Sequence, residues 1–177
     1  MRRVATLLFF AFAASGAAES LHTEAAGIRF AVPRDWSRVP APSDVRAAQY
    51  RIPRAAGDGE DGELVLFFFG KGQGGSAEDN LTRWYGQFTR PDGRASRDAA
   101  TVTSRTVRGL RITAVDLPGT YLGGTPGSAP RPGFRLLAAV VEGEGGPWFF
   151  KAVGPSATIG AAKPGFEALL DSLQPHP

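Results

Sequence analysis

The sequence predicts an α+β domain, with a mainly antiparallel sheet of about six to seven strands and helices on both faces, a three-layer sandwich. Three observations lead there. Leu64 to Phe69 and Phe134 to Val141 are nearly continuous apolar runs, without the alternation of a strand that has one wet face. Leu81, Trp84, Tyr85 and Phe88 recur at i, i+3, i+4 and i+7, and Phe166, Leu169, Leu170 and Leu173 repeat that helical stripe. Connections between strand segments are of hairpin length, which antiparallel neighbours can use.

The elements follow in order. Residues 1–18 read as a signal peptide: Arg2 and Arg3 precede an apolar run from Val4 to Ala14, and Ser15-Gly16-Ala17-Ala18 supplies small residues for cleavage. That run is shorter than the roughly 20 apolar residues of a membrane span, so the mature chain is expected to be periplasmic or secreted, without a transmembrane anchor. Residues 19–26 are expected to be a disordered leader, and 27–174 a single domain. Ile28, Phe30 and Val32 alternate with Arg29 and Ala31 as in a half-buried strand, which Pro33 ends; Trp36 then caps the core edge. Val45 to Ile52 forms a second strand, and the polar, Gly-rich run from Ala55 to Gly62 a turn into the apolar strand at Leu64.

After Gly70 to Gly75, Ser76 is a good helix N-cap with Asp79 three residues on, an acidic capping box. Asp79 and Arg83 pair on the wet side, and the helix stops before Pro91. Thr101 to Val107 and Leu110 to Leu117 form a hairpin about Gly109. The Gly-, Pro- and Ser-rich stretch from Leu122 to Gly133 is expected to be a mobile surface loop. Phe134 to Val141 and Trp148 to Val153 are strands joined through Glu142 to Gly146. An irregular turn then leads to Pro164, which suits the first turn of the closing helix.

This layout resembles a known family. The segments "GIRFAVPRDW", "ELVLFFFGKGQGGSAEDNLTRWYGQF", "WFFKAVGP" and "FEALLDSL" follow one another as in the PsbP-like α/β/α sandwich. That fold is shared by photosystem extrinsic proteins, Ran-binding nuclear import factors and small bacterial envelope proteins. The resemblance implies a non-enzymatic accessory or assembly role, and no functional residue of the family carries over.

Composition bounds the function classes. Cysteine is absent, which removes disulfides, thiolate metal sites, cysteine nucleophiles and a lipid-anchored cysteine. The formal charge of +3 includes Arg2 and Arg3, so the mature chain is close to neutral and carries no nucleic-acid signature. No cofactor is implied. Gly70 to Gly75 satisfies G-x-G-x-x-G between a strand and a helix, but no parallel strand ending in an acid follows, so it reads as a flexible connector. The histidines, His22 and His176, fall in expected floppy termini, where no general base is held in place. Asp35, Asp44 and Asp116 show no spacing that marks a paired-carboxylate hydrolase.

Possible contacts with a partner or an anion lie elsewhere. Arg94, Arg97, Arg105, Arg108 and Arg111 belong to a basic span that meets phosphate groups or an acidic surface, or else forms the solvated face of an edge hairpin. Tyr121 and Arg131 flank the loop that ends at Gly133, with Arg135 beside them. The leading expectation is thus an exported, non-catalytic accessory protein whose partner is an envelope protein or an anionic surface. The alternative is a carrier of a small apolar or amphipathic ligand, based on Phe67, Phe68, Phe69, Trp148, Phe149 and Phe150, which are equally the material of a plain core. A hydrolase ranks third.

Overall fold

The computed structural model describes residues 20–123 and 127–176, so the proposed signal peptide lies outside the described residues. The strands are β1 (Ser20–Ala25), β2 (Ile28–Pro33), β3 (Ser37–Arg38), β4 (Arg46–Ile52), β5 (Gly62–Phe67), β6 (Phe88–Thr89), β7 (Thr101–Val107), β8 (Leu110–Tyr121), β9 (Arg131–Glu142), β10 (Trp148–Pro155) and β11 (Gln174–Pro175). Helix α1 (Ala77–Tyr85) lies between β5 and β6, and α2 (Ser156–Ser172) between β10 and β11.

The main sheet has eight strands in the order β3-β4-β5-β10-β9-β8-β6, with β7 on β8 beside β6, and β1-β2-β11 forms a small second sheet. All of their pairings are antiparallel. The count exceeds the expected six to seven because β3 and β6 are two-residue strands, too short to leave a periodic signal. The β7–β8 hairpin turns through Arg108 and Gly109 at φ 47° and 80°, the left-handed pair that matches strand twist in a two-residue turn.

Alternation sorts side chains onto two faces. Leu64, Leu66, Ile112, Leu137, Ala139, Trp148 and Phe150 point toward α2 and β2, where they join Phe30, Phe166, Leu169 and Leu170 in one core. Val115, Leu117, Leu136, Val140 and Phe149 point the other way and meet Trp84 of α1.

Several local expectations are corrected. Residues 20–25 are not a disordered leader; they pair along the whole of β2. His176 is correspondingly anchored, its backbone N–H donating to Gly27 O and its ring lying 3.1 Å from Glu24. Phe88 belongs to β6, because α1 ends at Tyr85 and Gly86 caps it. Pro164 lies inside α2, which starts at Ser156. An interior proline costs about 3 kcal/mol. The buried stripe of Ile159, Ala162, Phe166, Leu169 and Leu170 runs past it, and at roughly 1.5–3 kcal/mol per large side chain it outweighs that cost. Asp58 also supplies the missing cap, accepting from the Thr158 backbone N–H at 2.9 Å and from its hydroxyl at 2.6 Å. Finally, β8 runs on to Tyr121 and β9 begins at Arg131, so strand pairing takes up the C-terminal end of the loop expected from Leu122 to Gly133.

Candidate functional site

The two faces of the main sheet are covered unequally. Seventeen residues of α2 lie over one face, and nine residues of α1 over part of the other. Beside α1 a cleft of about 170 Å³ remains. Its walls are Phe67, Phe69, Phe149 and Trp84; Asn80, Arg83 and Gln87 lie along α1 and its exit; Lys151 rises from the sheet.

Each side chain is placed by local structure. On β10 the two-residue period puts Phe149 and Lys151 on the cleft face and Trp148 and Phe150 on the other. Phe69 stacks parallel to Phe67 at 6.3 Å between ring centres and meets Phe149 edge-on at 5.7 Å. The capping box at Ser76 and Asp79 starts α1 as the sequence predicts, with Asp79 N–H donating to Ser76 Oγ at 3.1 Å. Gly74 lies so close to Phe149 that a Cβ would fall 2.5 Å from the ring, and its φ of +100° favours glycine independently. The loop from Gly70 to Gly75 is no loose connector. Gly72 N–H donates to Gly146 O at 2.8 Å, and buried Asn80 donates from Nδ2 to Gly74 O at 3.0 Å and to Ser76 O at 2.9 Å. The glycines therefore build a cleft wall. Asn80, formally a glycosylation acceptor, is committed to that role.

Lys151 is the unusual group. Its Nζ donates to Gln87 Oε1 at 2.6 Å and lies 5.4 Å from the centre of the Tyr121 ring. Among the described residues no carboxylate is within ion-pair distance of it. Glu63, the acid whose charge reaches it, is bonded to Arg46 at 2.8 Å. Burial pushes the amine down to about 8, against the pull of Glu63 and with help from Arg46. Lys151 thus stays largely cationic near neutral pH, with donors to spare. The polar groups next to it in the cleft are Gln87, Asn80 and Arg83. A half-buried cation beside three phenyl rings and an indole offers an anion with an apolar body both a charge and a wall.

The arginines singled out in the sequence do not gather into one patch. Arg94 and Arg90 both bind Asp92, whose carboxyl they hold well below the ordinary range. With Arg97 they line an open groove of about 620 Å³ along the 85–97 segment. Arg105 reaches Glu167 at 2.9 Å and Asp171 at 3.1 Å, while Arg108 donates to the carbonyls of Asp171 and Leu173. These two arginines clamp the end of α2. Arg111 pairs with Glu142 at 3.0 Å on the surface. Arg131 pairs with Glu60 and stacks over Phe134 at 4.3 Å, on the face that Tyr121 shares. Arg135 points the opposite way, forking onto Asp116 at 2.7 and 2.6 Å, so it forms no surface with Tyr121 and Arg131. Asp116 is occupied in that fork and by Lys163 at 2.7 Å. Among the described residues no three His, Asp or Glu side chains converge where they could hold a metal ion.

The chain superposes on the solution structure of cyanobacterial PsbP (CyanoP) from Synechocystis sp. PCC 6803 with a TM-score of 0.55. The two share 16% sequence identity, and the match covers 94% of this chain and 98% of that one. The fold is PsbP-like. At this identity the likeness is one of architecture and transfers no residue's role. No protein-family model and no curated protein matches the sequence. Within the PsbP-like frame, the stretch from Glu63 to Phe88 that carried the resemblance supplies β5, the glycine loop and α1, hence most of the cleft. Lys151 itself lies in another of the quoted segments, "WFFKAVGP". The signal for it was legible: a charged residue at a cleft-face position of a strand otherwise covered on both sides.

Proposed function

We propose that the protein is an exported, non-catalytic binding protein of the bacterial envelope, periplasmic or secreted once residues 1–18 are removed. It holds an anionic group in the cleft beside α1. The observation that carries this reading is Lys151, a partly buried cation among aromatic rings with a neutral amide in place of a carboxylate. The PsbP-like fold supports an accessory role. The six aromatics that suggested a carrier divide in two: Phe68, Trp148 and Phe150 pack on the α2 side, whereas Phe67, Phe69 and Phe149 line the cleft. That division favours carrier behaviour over docking through the arginine span, whose Arg94, Arg105 and Arg111 are already paired.

The test is to purify the protein from its native envelope fraction alongside the Lys151→Gln variant and to extract both for mass spectrometry. An anionic component should accompany the wild type and be depleted from the variant, and the N-terminus should begin near Glu19. Equal recovery from both proteins, or turnover of an ester, phosphate or glycoside panel, would overturn the reading.

A further inference from the structure

Taking the cleft as a binding site, its size and lining narrow the occupant. Among the described residues every other half-buried cation has an acid: Arg29 with Glu24, Arg46 with Glu63, Arg90 with Asp92, Arg105 with Glu167, Arg131 with Glu60, and Arg135 and Lys163 with Asp116. Lys151 has Gln87 Oε1, the Tyr121 ring and two further N–H donors. The charged and titratable groups around it are fixed. Arg46 on β4 and Glu63 on β5 bond each other, Tyr121 on β8 is pushed up by burial, and Arg83 on α1 donates to Asn80 Oδ1 at 3.0 Å. Arg83 is exposed to water at the rim, so Lys151 is the one half-buried positive charge open to a negative charge.

The space beside it is about 170 Å³. A cavity of about 150 Å³ accepts a benzene ring, whereas a long acyl chain or a nucleotide exceeds such a volume. Three phenyl rings and one indole form the walls, which suits a flat apolar body. A dianion would find its second cation only in Arg83, at the exposed rim.

We propose that the cleft binds a small monocarboxylate with a flat apolar body, of the size of benzoate or phenylacetate, its carboxylate on Lys151 Nζ beside Gln87 and its ring against Phe69, Phe149 and Trp84. No covalent step is involved.

Calorimetry and amide NMR on the protein as the cell exports it test this, with benzoate, phenylacetate and the uncharged benzyl alcohol as probes. A carboxylate should saturate the site with a Kd below about 1 mM. Benzyl alcohol should bind at least about tenfold more weakly, and Lys151→Gln should lose at least about tenfold in carboxylate affinity with an otherwise unchanged amide spectrum. Phe69→Ala, at the exposed rim, should weaken binding without touching the charge. Affinity should fall about tenfold between pH 7 and pH 9 as the Lys151 amine, near 8, loses its proton, and binding at pH 8 should take up protons. No saturable shift with either carboxylate at about 10 mM, or equal binding of benzyl alcohol, would overturn the proposal. Inorganic phosphate, and vesicles of equimolar phosphatidylglycerol and phosphatidylcholine, serve as further arms. If either is bound through Lys151 while the carboxylates are not, the monocarboxylate is wrong and the anion-binding reading stands; if no anion perturbs Lys151, both fall.

Discussion

Lys163 and Lys151 stand on opposite faces of one sheet and meet opposite fates. Lys163 on α2 places its ammonium 2.7 Å from Asp116, which also receives both arms of Arg135. Burial pushes the Asp116 carboxyl up, but hydrogen bonds from Arg135 and Lys163 outweigh it and leave it below its ordinary value. Lys151 has no such acid, and burial lowers its amine. On the α2 side the Lys163 charge is met by contacts that folding alone explains. The α1 face keeps a cost that folding does not recover, and such sites are where ligands are expected.

The largest effect that can sharpen this contrast is in the core. Phe166→Ala, on the fully buried α2 stripe, should cost about 3–5 kcal/mol in denaturant unfolding. Trp84→Ala, which removes a larger side chain from the cleft wall, should cost less, about 2 kcal/mol, because that site already borders open space. A larger loss at Trp84 would mean that the α1 face is packed as tightly as its counterpart.

Next comes the ion cluster. Asp116→Asn should destabilise by roughly 2 kcal/mol at neutral pH, a partial effect because Lys163 and Arg135 are not fully buried. The sign of its pH dependence follows from the lowered carboxyl. The contribution is present above the unfolded value of about 3.9 and is lost as pH falls through the folded one, so wild type and variant should converge in acid. The smallest effect belongs to the exposed hairpin. Arg111→Ala, whose side chain is 69% exposed, should change stability by less than about 0.5 kcal/mol.

Much of the fold was legible in the sequence because its signals are local. Ser76 and Asp79 marked the start of α1, and Arg108-Gly109 sits at the turn of the hairpin centred on Gly109. What stayed illegible depended on distant partners. Residues 20–25 have no strong strand pattern and become β1 only because β2 offers a free edge. Pro164 forbids a helix interior by propensity and is overruled by the stripe beneath α2, with Gly165 allowing an approach in which a Cβ would fall 2.8 Å from Pro33. The site was half visible. Phe67, Phe69 and Phe149 were noticed as aromatics, but only strand alternation separates them from Phe68, Trp148 and Phe150. The arginine span drew attention by number, yet the acids that neutralise much of it lie far along the chain, at Glu142, Glu167 and Asp171.

The most direct test replaces each lysine in turn by methionine, which keeps the length of the side chain and removes its charge, and compares unfolding free energies at neutral pH. Lys151→Met should stabilise the protein by about 1–2 kcal/mol, and the gain should vanish above about pH 10, where the unfolded lysine is also neutral. Lys163→Met should destabilise by up to about 1 kcal/mol, since it strips a cation from Asp116. Loss of stability in both variants would contradict the account, for it would make Lys151 an ordinary part of the fold rather than a charge held for a ligand.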